Sequence, residues 1–253
     1  MVKMNRKTLI YKTGVEYGDY TLNHVFGCSH GCKYPCYAYM MAKRFGKIKN
    51  YEEWIQPVII DNAMELLELE LPRYKNKINL LHLCFSTDPF MYKQQKIIDK
   101  SIEILKRINQ EDIRCSVLTK GILPKELVEL PMNNEYGVTV VSLKEDFLEN
   151  YEPGASPINE RINALKYLHD NGCYTWVSIE PYPTPNICNQ DLSEILDRIS
   201  FVDKIIFGRI NYNTEATSYQ DRKKFFNECV KKVISFCEKE HISYHIKKGT
   251  KTD

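Results

Sequence analysis

The sequence has no apolar run approaching the length of a membrane span, and its opening stretch, MVKMNRKTLIYK, lacks the apolar core of a signal peptide. The reading therefore expects a cytoplasmic protein without membrane association. Net charge is also nearly absent: 35 Lys and Arg against 33 Asp and Glu leave +2, so no global field announces a nucleic-acid or membrane partner. Local basic groups occur at Lys43, Arg44, Lys47 and Lys49, at Arg222, Lys223 and Lys224, and at Lys247, Lys248 and Lys251. Each reads as a solvated helix face or tail. Repeats, low-complexity tracts and linkers are missing, so 253 residues with 43% hydrophobic content are expected to form one domain over one core. No second group of closely spaced cysteines is present, which leaves no ligands for an auxiliary metal cluster. The odd total of nine thiols, scattered through apparent strands and helices, fits a reducing compartment.

What the sequence does contain is the run GCSHGCKYPCY over residues 27–37, which gathers Cys28, Cys32 and Cys36 into one short segment. In a helix these three would share a face, as a buried stripe of small side chains. Gly27, Gly31 and Pro35 oppose a helix, and Ser29, His30 and Lys33 leave no apolar face to bury. A loop that wraps three sulfurs around one point remains. Two metals suit it. Zinc needs a fourth protein ligand, for which His24 or His30 is at hand, and would make the chain a zinc-stabilised nucleic-acid-binding protein using its basic C-terminal helix. An iron-sulfur cube on three cysteines keeps one iron open for chemistry.

Short β-rich runs alternate with longer helical ones, the pattern of parallel strands joined by crossover helices. Six strands are expected at 21–26, 79–86, 113–119, 136–142, 174–180 and 203–208. Helices are expected at 36–46, 57–71, 93–109, 124–130, 157–171, 189–199 and 219–240. Pattern alone leaves a doubly wound sheet and a partial barrel nearly equal, and in both the chemistry gathers beyond the carboxyl ends of the strands.

Those ends carry polar groups. On the second strand, Leu81, Leu83 and Phe85 share the face expected to meet helices, which directs His82 and Cys84 inward and sets Ser86, Thr87 and Asp88 at the mouth. A turn capping the next helix explains that triplet equally well. Lys120 and Ser142 follow the third and fourth strands. On the fifth, Trp176, Ser178 and Glu180 share a face, and a charged group inside a barrel mouth needs a partner. The turn YEPGASP at 151–157 feeds a helix holding Arg161, suited to an ion pair with Glu152 or Glu180. Cys229 and Cys237 read as core of the last helix, and Cys115, Cys173 and Cys188 as isolated thiols.

The segment GCSHGCKYPCYAY resembles the cluster loop of radical S-adenosylmethionine (SAM) enzymes, and most of all the spore photoproduct lyase subgroup. FSTDPF, LTK and the EPGA…ERI.AL wording are similar to the same subgroup, and the whole is similar, more faintly, to radical enzymes paired on mobile elements. One departure is that three residues, not two, separate the second and third cysteines, through Pro35. The resemblance implies an α/β fold, a partial (β/α)6 TIM-type barrel over 1–253, with core motifs in 20–210 and a C-terminal helical extension in 211–253. It implies a [4Fe-4S] cluster on Cys28, Cys32 and Cys36, with SAM held at its methionine end by Ser86, Thr87, Asp88 and Lys120. Ser142, Arg161, Tyr34 and Tyr37 would contact the rest of the cofactor. From its charge and place, Glu180 is a candidate for orienting substrate or cofactor, and Cys84, which strand alternation points inward, either fills the barrel interior as a small side chain or returns a hydrogen atom to a substrate radical, as a cysteine does in the lyases. An external one-electron reductant of flavodoxin or ferredoxin type is implied, and a second radical SAM protein if the paired enzymes are the better likeness. The subgroup also implies a nucleic-acid substrate, which the near-neutral, compact chain disfavours.

Overall fold

Val117, Val138, Val177 and Ile205 are wholly buried, one on each of four successive strands, as befits strands buried on both faces. The computed structural model describes residues 4–16 and 18–252. Its strands are β1 (Ile10–Lys12), β2 (Tyr20–Leu22), β3 (Val25–Phe26), β4 (Val58–Ile59), β5 (Leu81–Leu83), β6 (Cys115–Thr119), β7 (Glu135–Thr139), β8 (Tyr174–Tyr182), β9 (Lys204–Arg209) and β10 (Ser243–Ile246). Its α-helices are α1 (Tyr37–Arg44), α2 (Tyr51–Trp54), α3 (Ala63–Tyr74), α4 (Gln95–Asn109), α5 (Glu145–Tyr151), α6 (Ile158–Asp170), α7 (Leu192–Arg198), α8 (Thr214–Ser218) and α9 (Arg222–Glu240).

The main sheet runs β1-β2-β5-β6-β7-β8-β9-β10. The six expected parallel strands, β2 and β5 to β9, stand side by side in chain order, which makes the domain a partial α/β barrel. Helices cover it in the expected manner. In α6, Ile158, Arg161, Ile162, Leu165 and Leu168 are buried at the spacing of one helical face.

Four expectations are corrected. The C-terminal segment is not wholly helical: after α9 the chain reverses at His241, in the left-handed region with φ 58°, and SYHI adds β10 parallel to β9. That run is too short to announce itself by alternation. The strand expected at 21–26 is split. Only β2 joins the main sheet, while β3 pairs antiparallel with β4, inside the stretch read as helix 57–71. The helix there begins at Ala63 and runs through Pro72 to Tyr74. The 124–130 helix is a 3-10 turn over Lys125–Glu129, and neither β1 nor α5 was foreseen.

Side chains tie the two edges of the open barrel. Glu16, between β1 and β2, accepts from the Lys248 amide at 3.2 Å and lies 2.8 Å from Nε2 of His245 on β10. Among the described residues no helix is long and apolar enough to cross a membrane.

Candidate active site

The cysteine loop leaves β3 and is held on both flanks by backbone. The Cys28 amide donates to the Trp54 carbonyl at 2.9 Å, and the Tyr51 hydroxyl donates to the Gly31 carbonyl. From below, the turn after α5 acts as a mould: the Lys33 amide donates to the Tyr151 carbonyl and the Gly154 amide to the His30 carbonyl, both at 2.9 Å. A β-carbon on Gly154 would fall onto the Ser29 carbonyl oxygen, so only glycine lets these two backbones meet. The Tyr34 hydroxyl donates to Glu152 and its ring stacks on Tyr151. The added residue is taken up between this tucked tyrosine and Cys36, which stands at the N-cap of α1.

Two further turns lock onto the mould. Asp88 accepts from the Thr119 hydroxyl at 2.7 Å, the Phe90 amide at 2.8 Å and the Lys120 amide at 2.9 Å, and lies 3.3 Å from Nδ1 of His30. Burial pushes its carboxyl up, but His30, Thr119 and Lys120 outweigh burial and hold it below the usual range. Nε2 of His30 accepts from the Tyr92 amide at 3.1 Å, so the ring carries its proton on Nδ1, toward Asp88. The Ser156 amide donates to the Lys120 carbonyl at 2.9 Å. Arg161 and Glu152, both wholly buried in their side chains, pair at 3.1 Å, and Arg161 also donates to the Thr139 and Ser156 carbonyls at 2.6 and 3.0 Å. The four motifs that stood out in the sequence thus form one hydrogen-bonded body.

Above it lies a cavity of about 460 Å³. Cys28, Cys32 and Cys36 line one side, with Asp88 and Lys120 beside them. Ser86, Thr87, Tyr34 and Tyr37 also line it, together with Phe85, Thr139 and Ser178. The opposite wall is Glu180, Arg209 and Lys247, from the ends of β8, β9 and β10. The Lys247 ammonium is 3.8 Å from Glu180, whose carboxyl burial raises, against the pull of Lys247. Sequence reasoning missed Arg209, Lys247 and Thr139. Lys247 was masked by the unseen β10, which turns a supposed tail lysine into a strand-end lysine, and Arg209 stood one residue beyond the strand expected at 203–208. Thr139 was the last residue of a strand drawn three residues too long.

Several candidates sit elsewhere. Cys84 has φ 58°, and this left-handed step ends the alternation of β5. Its thiol points away from the cavity to within 3.3 Å of Nδ1 of His24, burial pushing it up to about 12, while Phe85, expected under the helices, faces the cavity instead. Ser142 is fully buried against Cys188, where it accepts from the Lys144 amide, so no ribose hydroxyl reaches it. Arg161 is a buttress behind the cavity. Tyr34 offers no open π face: Tyr151 stacks on it and the Lys120 ammonium is 5.6 Å from its ring centre. Tyr37 is exposed at the rim.

The donor set separates the two metal readings. His24 is enclosed, with Nε2 2.9 Å from the Ser101 hydroxyl, and burial drives its pKa down to about 3. Both nitrogens of His30 are committed as well. Neither ring completes a zinc tetrahedron. Among the described residues no three His, Cys, Asp or Glu side chains converge on a single ion. Zinc, with Zn–S of about 2.3 Å, would draw its sulfurs to within about 4 Å of each other. A cube takes each thiolate on a separate iron and needs no such convergence. Burial and mutual repulsion hold the Cys28 and Cys32 thiols protonated, Cys32 up to about 12, so a cationic cluster would displace those protons on binding.

Comparison with known proteins agrees with the cluster. Residues 22–199 match the family model of the radical SAM superfamily. An uncharacterised protein of Methanocaldococcus jannaschii, MJ0683, is 30% identical over 186 residues, which cover 72% of this chain and 67% of that one. An uncharacterised protein of Acidianus two-tailed virus, ORF301, is 25% identical over 216 residues, covering 79% and 68%. Among solved structures, a spore photoproduct lyase variant with bound AdoMet and dinucleoside spore photoproduct superposes with a TM-score of 0.65 at 13% identity, over 96% of this chain and 80% of that one. At that identity the likeness speaks for the fold. The family match, spanning most of the chain and including all three cysteines, makes this protein a member of the radical SAM superfamily, an enzyme whose cofactors are a [4Fe-4S] cluster and S-adenosylmethionine.

Proposed function

We propose that Cys28, Cys32 and Cys36 hold three irons of the cluster and leave the fourth open to the cavity. The observation that carries this is three thiols on one loop whose neighbouring histidines are already engaged. Bound there, the cluster and SAM would supply a one-electron cleavage of SAM to methionine and a 5′-deoxyadenosyl radical able to take a hydrogen atom from substrate. The protein supplies position and seclusion. Lys120, a cation at the cavity floor, pairs with the methionine carboxylate, and the Ser86 hydroxyl, which donates to Asn23 at 2.8 Å, keeps lone pairs for the ammonium. Asp88 acts at one remove. Its oxygens are filled by Phe90, Thr119, Lys120 and His30, so it is a positioning residue that sets the backbone of Lys120.

Substrate enters against the far wall, where Glu180, Arg209 and Lys247 offer charge of both signs. With Cys84 turned away, the thiols lining the cavity are the three cluster ligands, which argues against a cysteine hydrogen donor of the lyase kind. The electron comes from a donor of flavodoxin or ferredoxin type. Anaerobic reconstitution with iron and sulfide, then dithionite and SAM, should release 5′-deoxyadenosine and methionine, and Cys32→Ala should release neither. Stoichiometric zinc without iron, or no cleavage by the iron-loaded protein, would contradict the reading.

A further inference from the structure

Residues 20–51 contain no Asp or Glu, although a stretch of that length would hold about four at the chain's average, and they carry Lys33, Lys43, Arg44, Lys47 and Lys49. All five are exposed. Among the described residues, none of the five lies in an ion pair with a carboxylate. This basic surface is centred on α1, whose N-cap is Cys36. Tyr37, Met40 and Arg44 follow one another along a single stripe of the helix. Tyr37 is 55% exposed and Phe45, just past the C-terminus, 64%. Apolar groups therefore stand in the middle of a basic rim, one residue from a cluster ligand. Lys47 carries the basic surface on into a cleft of about 560 Å³ shared with Arg6 and Lys7, whose lining has no carboxylate. The underside of the cysteine loop is closed by the 151–156 turn, so α1 is its outward flank.

We infer that α1 and residues 45–49 form the docking surface for a small acidic protein that carries one electron, of flavodoxin or ferredoxin type. The inference rests on the proposed cluster reading. A net-basic rim, five cations bordered by Glu52 and by Glu53, whose carboxylate accepts from the Lys49 amide, attracts an acidic partner from a distance and raises its association rate in a salt-sensitive way, and the exposed ring and thioether give the contact an apolar centre. The transfer is balanced by one electron lost from the donor and one gained by the cluster, with no bond made and no proton moved.

The test is the double reversal Lys43→Glu/Arg44→Glu, with Lys47→Glu/Lys49→Glu as a second variant and Lys223→Glu/Lys224→Glu on α9 as a control of equal charge change. Binding of a purified oxidised flavodoxin to the iron-loaded protein is measured by calorimetry at low and high salt. Both α1-side reversals should weaken it by roughly tenfold or more at low salt, and the α9 reversal by much less. Cleavage of SAM driven by dithionite should be unchanged in all three, while cleavage driven by reduced flavodoxin should fall in the α1-side variants alone. Equal weakening by the α9 reversal would reduce the effect to net charge and overturn the docking surface, as would unchanged binding. Loss of dithionite-driven cleavage in both α1-side variants would show that the face serves substrate or fold and would overturn it too. Failure of the unaltered protein to cleave SAM with dithionite would instead contradict the cluster reading.

Discussion

On the cysteine side of the cavity, turns at 27–36, 86–90, 119–121 and 151–156 are tied to one another by backbone amides, a buried carboxylate hub at Asp88 and a buried Glu152–Arg161 pair. Across the cavity, Glu180, Arg209 and Lys247 come from three strand ends, and the ion contact between them is 3.8 Å long. The first wall is mostly closed by hydrogen bonds among its own groups, although the Ser29 and Thr87 hydroxyls are buried without a hydrogen-bond partner among the described residues. The second keeps charge available for a ligand. A site that must receive the same cofactors at every turnover gains from rigidity, whereas a wall that accepts substrate needs groups still able to exchange partners.

The comparison breaks most sharply at Gly154. Gly154→Val puts side-chain atoms where the Ser29 carbonyl lies, and two backbones cannot both yield, so the cysteine loop must lift from its mould. Iron content after anaerobic reconstitution should fall to a small fraction of the unaltered protein's. Retention of full iron would show that the mould is dispensable.

Next in size is the buried pair. Arg161→Met strands Glu152 with the Tyr34 hydroxyl as its remaining side-chain partner and should cost about 3–5 kcal/mol, read from the urea midpoint. Glu180→Gln, across the cavity, removes a longer, partly buried contact and should cost about 1 kcal/mol, well below the Arg161 change. Equal losses from the two walls would erase the distinction between them.

The remaining effect is a dependence on pH. Burial lowers His24 to about 3 and His82 to about 4, while the unfolded chain protonates both near the ordinary value of about 6.5. Folded pKa values below unfolded ones mean that the unfolded state binds more protons. Stability is therefore whole above pH of about 6.5 and declines as pH falls toward the folded values, by about 1.4 kcal/mol per unit for each ring. Urea midpoints between neutrality and pH of about 5 should show this slope, and His24→Asn should make it shallower. An unchanged slope in that variant would mean His24 is not what titrates.

Much of this was legible in the sequence because the cysteine-side wall is made of contiguous motifs. Three cysteines among glycines announce a loop, and Ser178 and Glu180 reached the cavity because β8 alternates as a strand should. Where legibility failed, the cause was a long-range or single-residue event. The left-handed φ at Cys84 reverses two side chains, and no spacing rule foretells it. Lys247 became a cavity residue through β10, whose four residues form a strand only because β9 offers an edge. Asp88 was read as a ligand for the cofactor, since the sequence cannot show that His30, Thr119 and two amides have already filled it.

In the proposed function, Cys28, Cys32 and Cys36 hold a four-iron cluster whose fourth iron faces the cavity. The direct measurement is the electron paramagnetic resonance spectrum of the anaerobically reconstituted, reduced protein, recorded with and without SAM. A [4Fe-4S]+ signal is expected that changes shape when SAM is added and disappears in Cys28→Ala, Cys32→Ala and Cys36→Ala. A signal indifferent to SAM, or one that persists without any of these three thiols, would contradict it.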